Sequence, residues 1–222
     1  HTCLYCLCRF ENTKFSSCAK MAAQKSKSAI TVKGSAEIVV EYLDFGINSI
    51  LFQRGLYPPE DFKTVENYGL PIYMSQNNKI KEFLSSTFCQ LKEWLVKRLV
   101  DKIALIVTSV KTREVMERWD FNVQYEGDID NPNQTSDKPL KQIQNEIRDV
   151  LKQIASSVAY LPLLDCLCSF DIQIYTKNDI ELPPEWGDAQ PADIKNAQFV
   201  RLRSFSTNIH KMETVVTYKS ED

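Results

Sequence analysis

Histidine and long apolar runs are scarce in this sequence. Of the 222 residues only 2 are His, and one of these is residue 1, so a nucleophile activated by His would have to use His210. No glycine-rich phosphate loop and no HExxH zinc motif occurs. No stretch reaches the ~20 uncharged apolar residues of a membrane span, and a formal net charge of −2 lacks the basic excess of a nucleic-acid binder. We therefore expect no membrane and no nucleic acid among the partners.

The first twenty residues differ from the rest of the chain. They hold four of the 7 Cys and show neither a helical period nor the alternation of a strand. The spacing of Cys3 and Cys6 fits half of a zinc site, but no second CxxC or His pair completes it. We therefore interpret residues 1–20 as a non-native or upstream extension that is disordered, and we expect no metal or other cofactor.

The remaining residues have the pattern of one folded domain. The chain is 43% hydrophobic and 25% charged, as is usual for globular proteins, and an odd number of Cys after residue 20 favours a reducing compartment, the cytosol or nucleus. Apolar residues recur at helical spacing in three segments and alternate or cluster as in strands elsewhere. The predicted helices are 35–53, 77–99 and 139–158, and the predicted strands are 70–74, 102–109, 115–125, 166–175, 199–209 and 213–219.

A few polar residues stand out against this pattern. Glu117 interrupts the apolar row of a strand, so a buried carboxylate there would need a partner. Cys166 and Cys168 fall on an apolar strand face and are predicted to be buried small hydrophobes rather than reactive thiols. His210 lies between two strand-like runs, where a turn or surface position is expected. No catalytic constellation emerges, although a small hydrolase using Cys89 or His210 remains an alternative.

Several segments resemble one known family. GSAEIVVEYLDFGINSILFQRGLYP (34–58), ERWDFNV (117–123), LPLLDCLCSFDIQIYT (161–176) and VRLRSFSTNIHK (200–211) are similar to the HORMA domain, and within it to the mitotic-arrest-deficient family of spindle checkpoint proteins. The resemblance covers about residues 29–219 in order. It implies an α+β HORMA domain at 29–222, with three central helices packed on a mostly antiparallel β-sheet (core about 29–177) and a mobile C-terminal safety belt (about 178–222).

The resemblance implies an adaptor and no enzyme. In the family, the C-terminal hairpin covers one sheet edge in the open conformer and moves to the opposite edge in the closed conformer, where a partner peptide adds as a strand under the belt. The expected function is a spindle assembly checkpoint adaptor that captures a motif of the anaphase-promoting complex co-activator and so delays anaphase. An alternative is another HORMA adaptor, such as a translesion polymerase accessory subunit or a meiotic axis protein.

The implied partners and places follow from the same resemblance. They are the co-activator, a kinetochore coiled-coil checkpoint receptor, an open–closed homodimer, and a remodelling AAA-family ATPase with a HORMA-like adaptor. The implied localisation is nucleus and cytoplasm, with kinetochores in mitosis.

The resemblance also assigns roles to individual positions. Lys152 stands where an Arg is usual and Tyr160 where a Phe is usual, and a Lys loses the bidentate fork of an Arg. The peptide edge and belt comprise Phe170, Ile172, Ile174, Tyr175, Trp186 and Trp94. The dimer interface comprises Lys152, Gln153, Tyr160 and Arg203, the conformer bias rests on Val32 and Met212, and Thr214 takes the place of a phosphorylated serine.

Overall fold

Three helices and a large sheet make up most of the described chain. The structure, a computed structural model, describes the backbone of residues 2–6 and residues 29–128, 131–177, 183, 184 and 186–220 in full. In chain order the α-helices and strands are β1 Thr2–Cys6, β2 Ile30–Thr31, α1 Val32–Gln53, β3 Phe62–Asn67, β4 Leu70–Ser75, α2 Asn78–Val96, β5 Val100–Ser109, β6 Val115–Tyr125, β7 Thr135–Ser136, α3 Leu140–Ser156, β8 Cys168–Thr176, β9 Trp186–Asp188, β10 Ala197–Ser206 and β11 His210–Lys219.

Local capping explains where two of the helices begin. The Thr31 hydroxyl accepts a hydrogen bond of 3.1 Å from the backbone N–H of Gly34 and so starts α1 earlier than predicted. The Asn77 side chain accepts one of 3.1 Å from the N–H of Lys79 at the start of α2. Each cap satisfies a backbone donor that has no partner within its own helix.

Within the described residues, no helix is long and apolar enough to cross a membrane.

The main sheet is antiparallel between every pair of neighbouring strands. Among the described residues its seven strands follow the order β10-β11-β6-β5-β8-β1-β9. Alternate residues of β5 point to opposite faces: Ile103, Leu105 and Val107 join the core formed with the helices, whereas Ala104 and Ile106 pack with Ala192 on the other face. The predicted α+β fold, three helices on a mostly antiparallel sheet, is confirmed.

A buried ion pair supplies the partner that Glu117 was expected to need. The guanidinium of Arg54, at the end of α1, donates to the Glu117 carboxylate, and both side chains are 2% exposed. The indole N–H of Trp119 donates to the same carboxylate at 3.2 Å, and Arg54 also donates to the carbonyl of Pro162. This network joins α1, β6 and the segment after α3, and it leaves neither charge unpaired.

Cys168, the first residue of β8, and Cys166 just before it are less buried than predicted. Cys166 and Cys168 are half-buried, and their Sγ atoms lie 3.6 Å apart. The expectation of full burial was wrong because this end of β8 lies at the margin of the core. Burial and the contact with Cys166 raise the pKa of the Cys168 thiol to about 12, so it stays protonated at neutral pH and is a poor nucleophile.

His210 is buried, and the expectation of a turn or surface position was wrong. It begins β11, its Nδ1 lies 2.6 Å from the Ser35 hydroxyl, and its Nε2 lies 3.3 Å from the carbonyl oxygen of Leu95. Because that carbonyl can only accept, Nε2 carries the proton and Nδ1 accepts from Ser35. Burial lowers the pKa of His210 to about 4, so the ring is neutral and serves to anchor the start of β11.

Candidate peptide-binding site

A slot between β8 and β9 holds a strand from a distant part of the chain. β1 pairs with β8 from Thr2 opposite Thr176 to Tyr5 opposite Gln173. It also pairs with β9, from Leu4 opposite Asp188 to Cys6 opposite Trp186. We call this position the strand slot, bounded by Gln173–Thr176 and Trp186–Asp188. The strand in it is paired along both of its edges.

The presence of β1 differs from the expectation of a disordered extension. At least Thr2–Cys6 of the predicted extension forms a strand in the sheet. A physical reason is available in the sequence TCLYC, which has no charged residue and combines β-branched, aromatic and apolar side chains that suit strands. The backbone groups of β8 and β9 provide the complementary edges on its two sides. The rest of the prediction for residues 1–20 concerns positions outside the described residues.

β8 and β9 lie on the two sides of β1. Both strands are antiparallel to β1, so they run parallel to each other. β8 ends opposite Thr2, whereas β9 begins opposite Cys6. The end of β8 and the start of β9 therefore lie at opposite ends of β1. A strand in the slot is thus flanked by β8 on one side and by β9 on the other.

Two tryptophans fix the start of β9 against the helices. Trp186 packs edge-on against Trp94 of α2, with ring centroids 4.9 Å apart and planes at 64°. Both side chains are buried, and such aromatic pairs contribute about 0.5–1.5 kcal/mol beyond their buried area. The structure therefore brings together two of the residues predicted for the peptide edge and belt.

The four β8 residues predicted at the peptide edge fall into two pairs. Ile174 and Tyr175 lie within the stretch that pairs with β1, opposite Leu4 and Cys3. Ile172 and Phe170 precede that stretch. All but Tyr175 contribute to the core that includes the helices, and the Tyr175 ring lies under the Lys102 ammonium at 3.9 Å on the other face. The strand slot is therefore shorter than the predicted edge.

The C-terminal hairpin lies at the other end of the sheet. β11 pairs with β6 from His210 opposite Tyr125 to Tyr218 opposite Glu117, and β10 pairs with the outer edge of β11. Met212 is buried in this hairpin, opposite Val123 and Phe205. A hairpin beside β6 and an added strand beside β8 is the arrangement that the family resemblance assigns to a closed conformer.

The hairpin is also held by a hydrogen bond to α1. The hydroxyls of Tyr42 and Thr214 lie 2.6 Å apart in the core, and Thr214 is buried. In this arrangement the predicted phosphorylation position is therefore closed to a kinase. Val32, the other predicted conformer-bias position besides Met212, is the first residue of α1 and is also buried. Sequence reasoning missed the Tyr42 contact because no short motif links residues so far apart.

Two of the four predicted dimer residues meet on the surface where α3 crosses β10. The backbone N–H of Arg203 donates to the Gln153 side-chain oxygen at 2.6 Å, and the Arg203 guanidinium pairs with Asp149 at 2.9 Å. Lys152 is exposed on α3, and Tyr160 is 44% exposed after it. The Arg203 side chain is 65% exposed, so its ion pair with Asp149 leaves it accessible to another molecule.

These elements define a HORMA domain. A sequence profile described as the HORMA domain matches residues 35–210. A spindle assembly checkpoint protein MAD2A of Dictyostelium discoideum is 47% identical, covering 89% of this chain and 97% of its own length. The human MAD2A is 44% identical, covering 90% and 98%.

Structural comparison gives the same result. A chain in the crystal structure of the mitotic checkpoint complex matches with a TM-score of 0.77 and 38% identity, over 84% of this chain and 99% of that one. The chain belongs to the HORMA-domain family, in the branch of the mitotic spindle assembly checkpoint proteins.

Proposed function

We propose that this chain is a spindle assembly checkpoint adaptor that captures a peptide of the anaphase-promoting complex co-activator in the strand slot and so delays anaphase. The observation that supports this most directly is the sheet order. A strand from outside the matched domain lies between β8 and β9, while the C-terminal hairpin lies beside β6. High identity to checkpoint proteins over nearly the whole chain favours this role over another HORMA adaptor.

Peptide capture by strand addition requires no catalytic group. A peptide in the slot gains main-chain hydrogen bonds from β8 and β9, and its alternate side chains meet the two faces of the sheet. The hydrolase alternative would need His210 as a base. Both ring nitrogens of His210 are engaged, by Ser35 and by Leu95, and its low pKa keeps the ring neutral. The geometry therefore favours a binding protein over an enzyme.

Release of a captured peptide requires part of the domain to move. The chain from Thr176 to Trp186 links the strands on either side of the peptide, so the peptide leaves freely only when β9 or the hairpin is displaced. A remodelling AAA-family ATPase with a HORMA-like adaptor supplies that displacement. The proposed role includes a second ligand of the same slot, a motif of a kinetochore coiled-coil receptor. It also includes a localisation in nucleus and cytoplasm, with kinetochores in mitosis.

Pairing of an open with a closed molecule uses the surface around Gln153 and Arg203. The hydrogen bond from the Arg203 backbone N–H to the Gln153 side-chain oxygen joins β10 to α3, so the surface exists in this form only when β10 is in its present place. Lys152 on α3 and Tyr160 beyond its C-terminal end extend this surface. The homodimer can therefore distinguish the two conformers. A phosphate on Thr214 would add about −1.5 to −2 charges at a buried position and oppose the present place of β11.

A truncation tests the proposed capture. Ending the chain after Met212 removes most of β11, so most of its ladder with β6 is lost and a labelled co-activator peptide should bind without slow release. Ending it after Lys219 keeps the whole strand and is the matched control. Dissociation of the peptide, followed by fluorescence after adding unlabelled competitor, gives the comparison. A shortened chain that still releases the peptide as slowly as the control would refute capture under a belt.

A further inference from the structure

We propose that Thr2–Cys6 is an intramolecular ligand of the strand slot, so that the domain closes on its own N-terminal segment and a partner peptide must displace it. This deepens the proposed function, since it concerns the regulation of the same slot. The pairing carries the inference. Thr2 to Tyr5 lie opposite Thr176 to Gln173 on one side, and Leu4 to Cys6 lie opposite Asp188 to Trp186 on the other.

The strand slot is occupied by a segment that lies outside the matched HORMA region. The matched HORMA region begins at residue 35, so β1 lies outside it. If β1 left, the described strand β9 would lose its place in the main sheet, and β8 would expose backbone groups over Gln173–Thr176. Exposed edges of this kind attract any strand of suitable composition. TCLYC, uncharged and free of Pro, is such a segment.

The same chain can supply this strand. Cys6 and Ile30, the first residue of β2, are separated by roughly 24 residues, which extend to at most about 80 Å. A domain of this size is only about 40 Å across. A linker of that length gives an effective concentration of the order of millimolar. The internal strand therefore competes strongly even if its intrinsic affinity is weak.

Occupation by the internal strand weakens the apparent affinity of every other peptide. The apparent dissociation constant equals the intrinsic one divided by the fraction of molecules with an empty slot. If β1 fills about nine slots in ten, a partner peptide binds about tenfold more weakly. The segment thus sets a threshold that a partner must exceed, and it keeps the hydrophobic and backbone groups of the slot covered until then.

A single substitution in β1 tests this in the full chain. Leu4 is paired on both sides, and Pro is not tolerated at such an interior position, so Leu4→Pro should empty the slot. Leu4→Val, which keeps a strand-forming apolar residue, is the matched control. The probe is a fluorescent synthetic peptide of residues 1–8, under reducing conditions, with anisotropy as the readout. Urea unfolding checks that both variants keep the folded domain.

The expected result is at least about tenfold tighter probe binding by Leu4→Pro than by the unsubstituted chain, with Leu4→Val like the latter. Equal binding to all three, or binding to none, would overturn the inference. A concentration-dependent dimer that disappears in Leu4→Pro would also overturn it, because the strand would then come from a second copy.

A co-activator peptide run in parallel separates this inference from the proposed function. If that peptide binds no variant while the probe follows the expected order, the checkpoint role fails and internal closure stands. If it binds all three chains equally and the probe binds none, internal closure fails and the checkpoint role stands.

Discussion

The hydrogen bond between Tyr42 and Thr214 offers a direct test of how the C-terminal hairpin is held. The Tyr42 ring, at the centre of α1, packs edge-on against Phe205 of β10 at 4.8 Å, while its hydroxyl meets Thr214 of β11 at 2.6 Å. Burial raises the pKa of Tyr42 far above its usual value, so the bond joins two neutral hydroxyls. One side chain of the stable core thereby contacts both strands of the segment expected to move.

The expected loss of stability depends on which hydroxyl each substitution leaves buried without a partner. Thr214→Val keeps the shape of the side chain but leaves the Tyr42 hydroxyl buried without this partner, which costs about 1–3 kcal/mol. Tyr42→Phe leaves the Thr214 hydroxyl buried without its Tyr42 partner, and the free energy of unfolding should fall by a similar amount. The double variant removes both polar groups and should be close to neutral. The single losses would shift the hairpin equilibrium by roughly 5- to 150-fold.

Urea unfolding of the four chains measures this coupling. The midpoint should fall in both single variants and recover in the double, giving a coupling energy of about 1–3 kcal/mol. Release of a captured peptide should be faster in each single variant than in the double. Single variants within about 0.5 kcal/mol of the unsubstituted chain, combined with an additive double, would refute the claim that these hydroxyls hold the hairpin.

Three further perturbations test other parts of the structure. Glu117→Gln should cost about 3–5 kcal/mol in urea unfolding because it leaves the Arg54 charge buried and unpaired, and a loss below about 1 kcal/mol would contradict that burial. As pH falls from about 6.5 to about 4, unfolded chains bind a proton that folded His210 does not. Stability should therefore fall by about 3 kcal/mol relative to His210→Gln, and parallel pH curves would disprove this. Arg203→Ala should lower the yield of open–closed dimer on gel filtration while sparing peptide binding, with Arg201→Ala as control, and equal yields would argue against the assigned interface.

Patterns of neighbouring residues were enough to predict most of the helices and strands. The apolar period placed α2 within a few residues of its bounds, and the alternation from Val115 to Tyr125 matched β6. The need of Glu117 for a partner was also predictable, because a buried charge must be paired. The identity of that partner was not, since Arg54 reaches it only through the packing of α1 against the sheet.

The features that could not be predicted from the sequence depend on pairing between distant parts of the chain. His210 lies in a polar stretch typical of a turn, yet the register of β11 with β6 carries it into the interior, where Ser35 and Leu95 satisfy its nitrogens. β1 was overlooked because five residues have too little pattern to identify a strand alone. Its stability comes from two edges that lie about 170 and 180 residues further along the chain, which only the sheet order brings together.

Hairpin position and slot occupancy are coupled because they concern the two sides of one sheet. β11 pairs with β6 over most of its length, so it cannot at the same time cover β8. Moving the hairpin to β6 therefore leaves β8 open, and an exposed edge is unfavourable until a strand fills it. A peptide that binds only after this move stabilises the moved hairpin by its own binding free energy. An internal strand stabilises the moved hairpin in the same way without a partner. The occupancy of the strand slot by β1 should therefore determine how much binding free energy a captured peptide can still add to the stability of the moved hairpin.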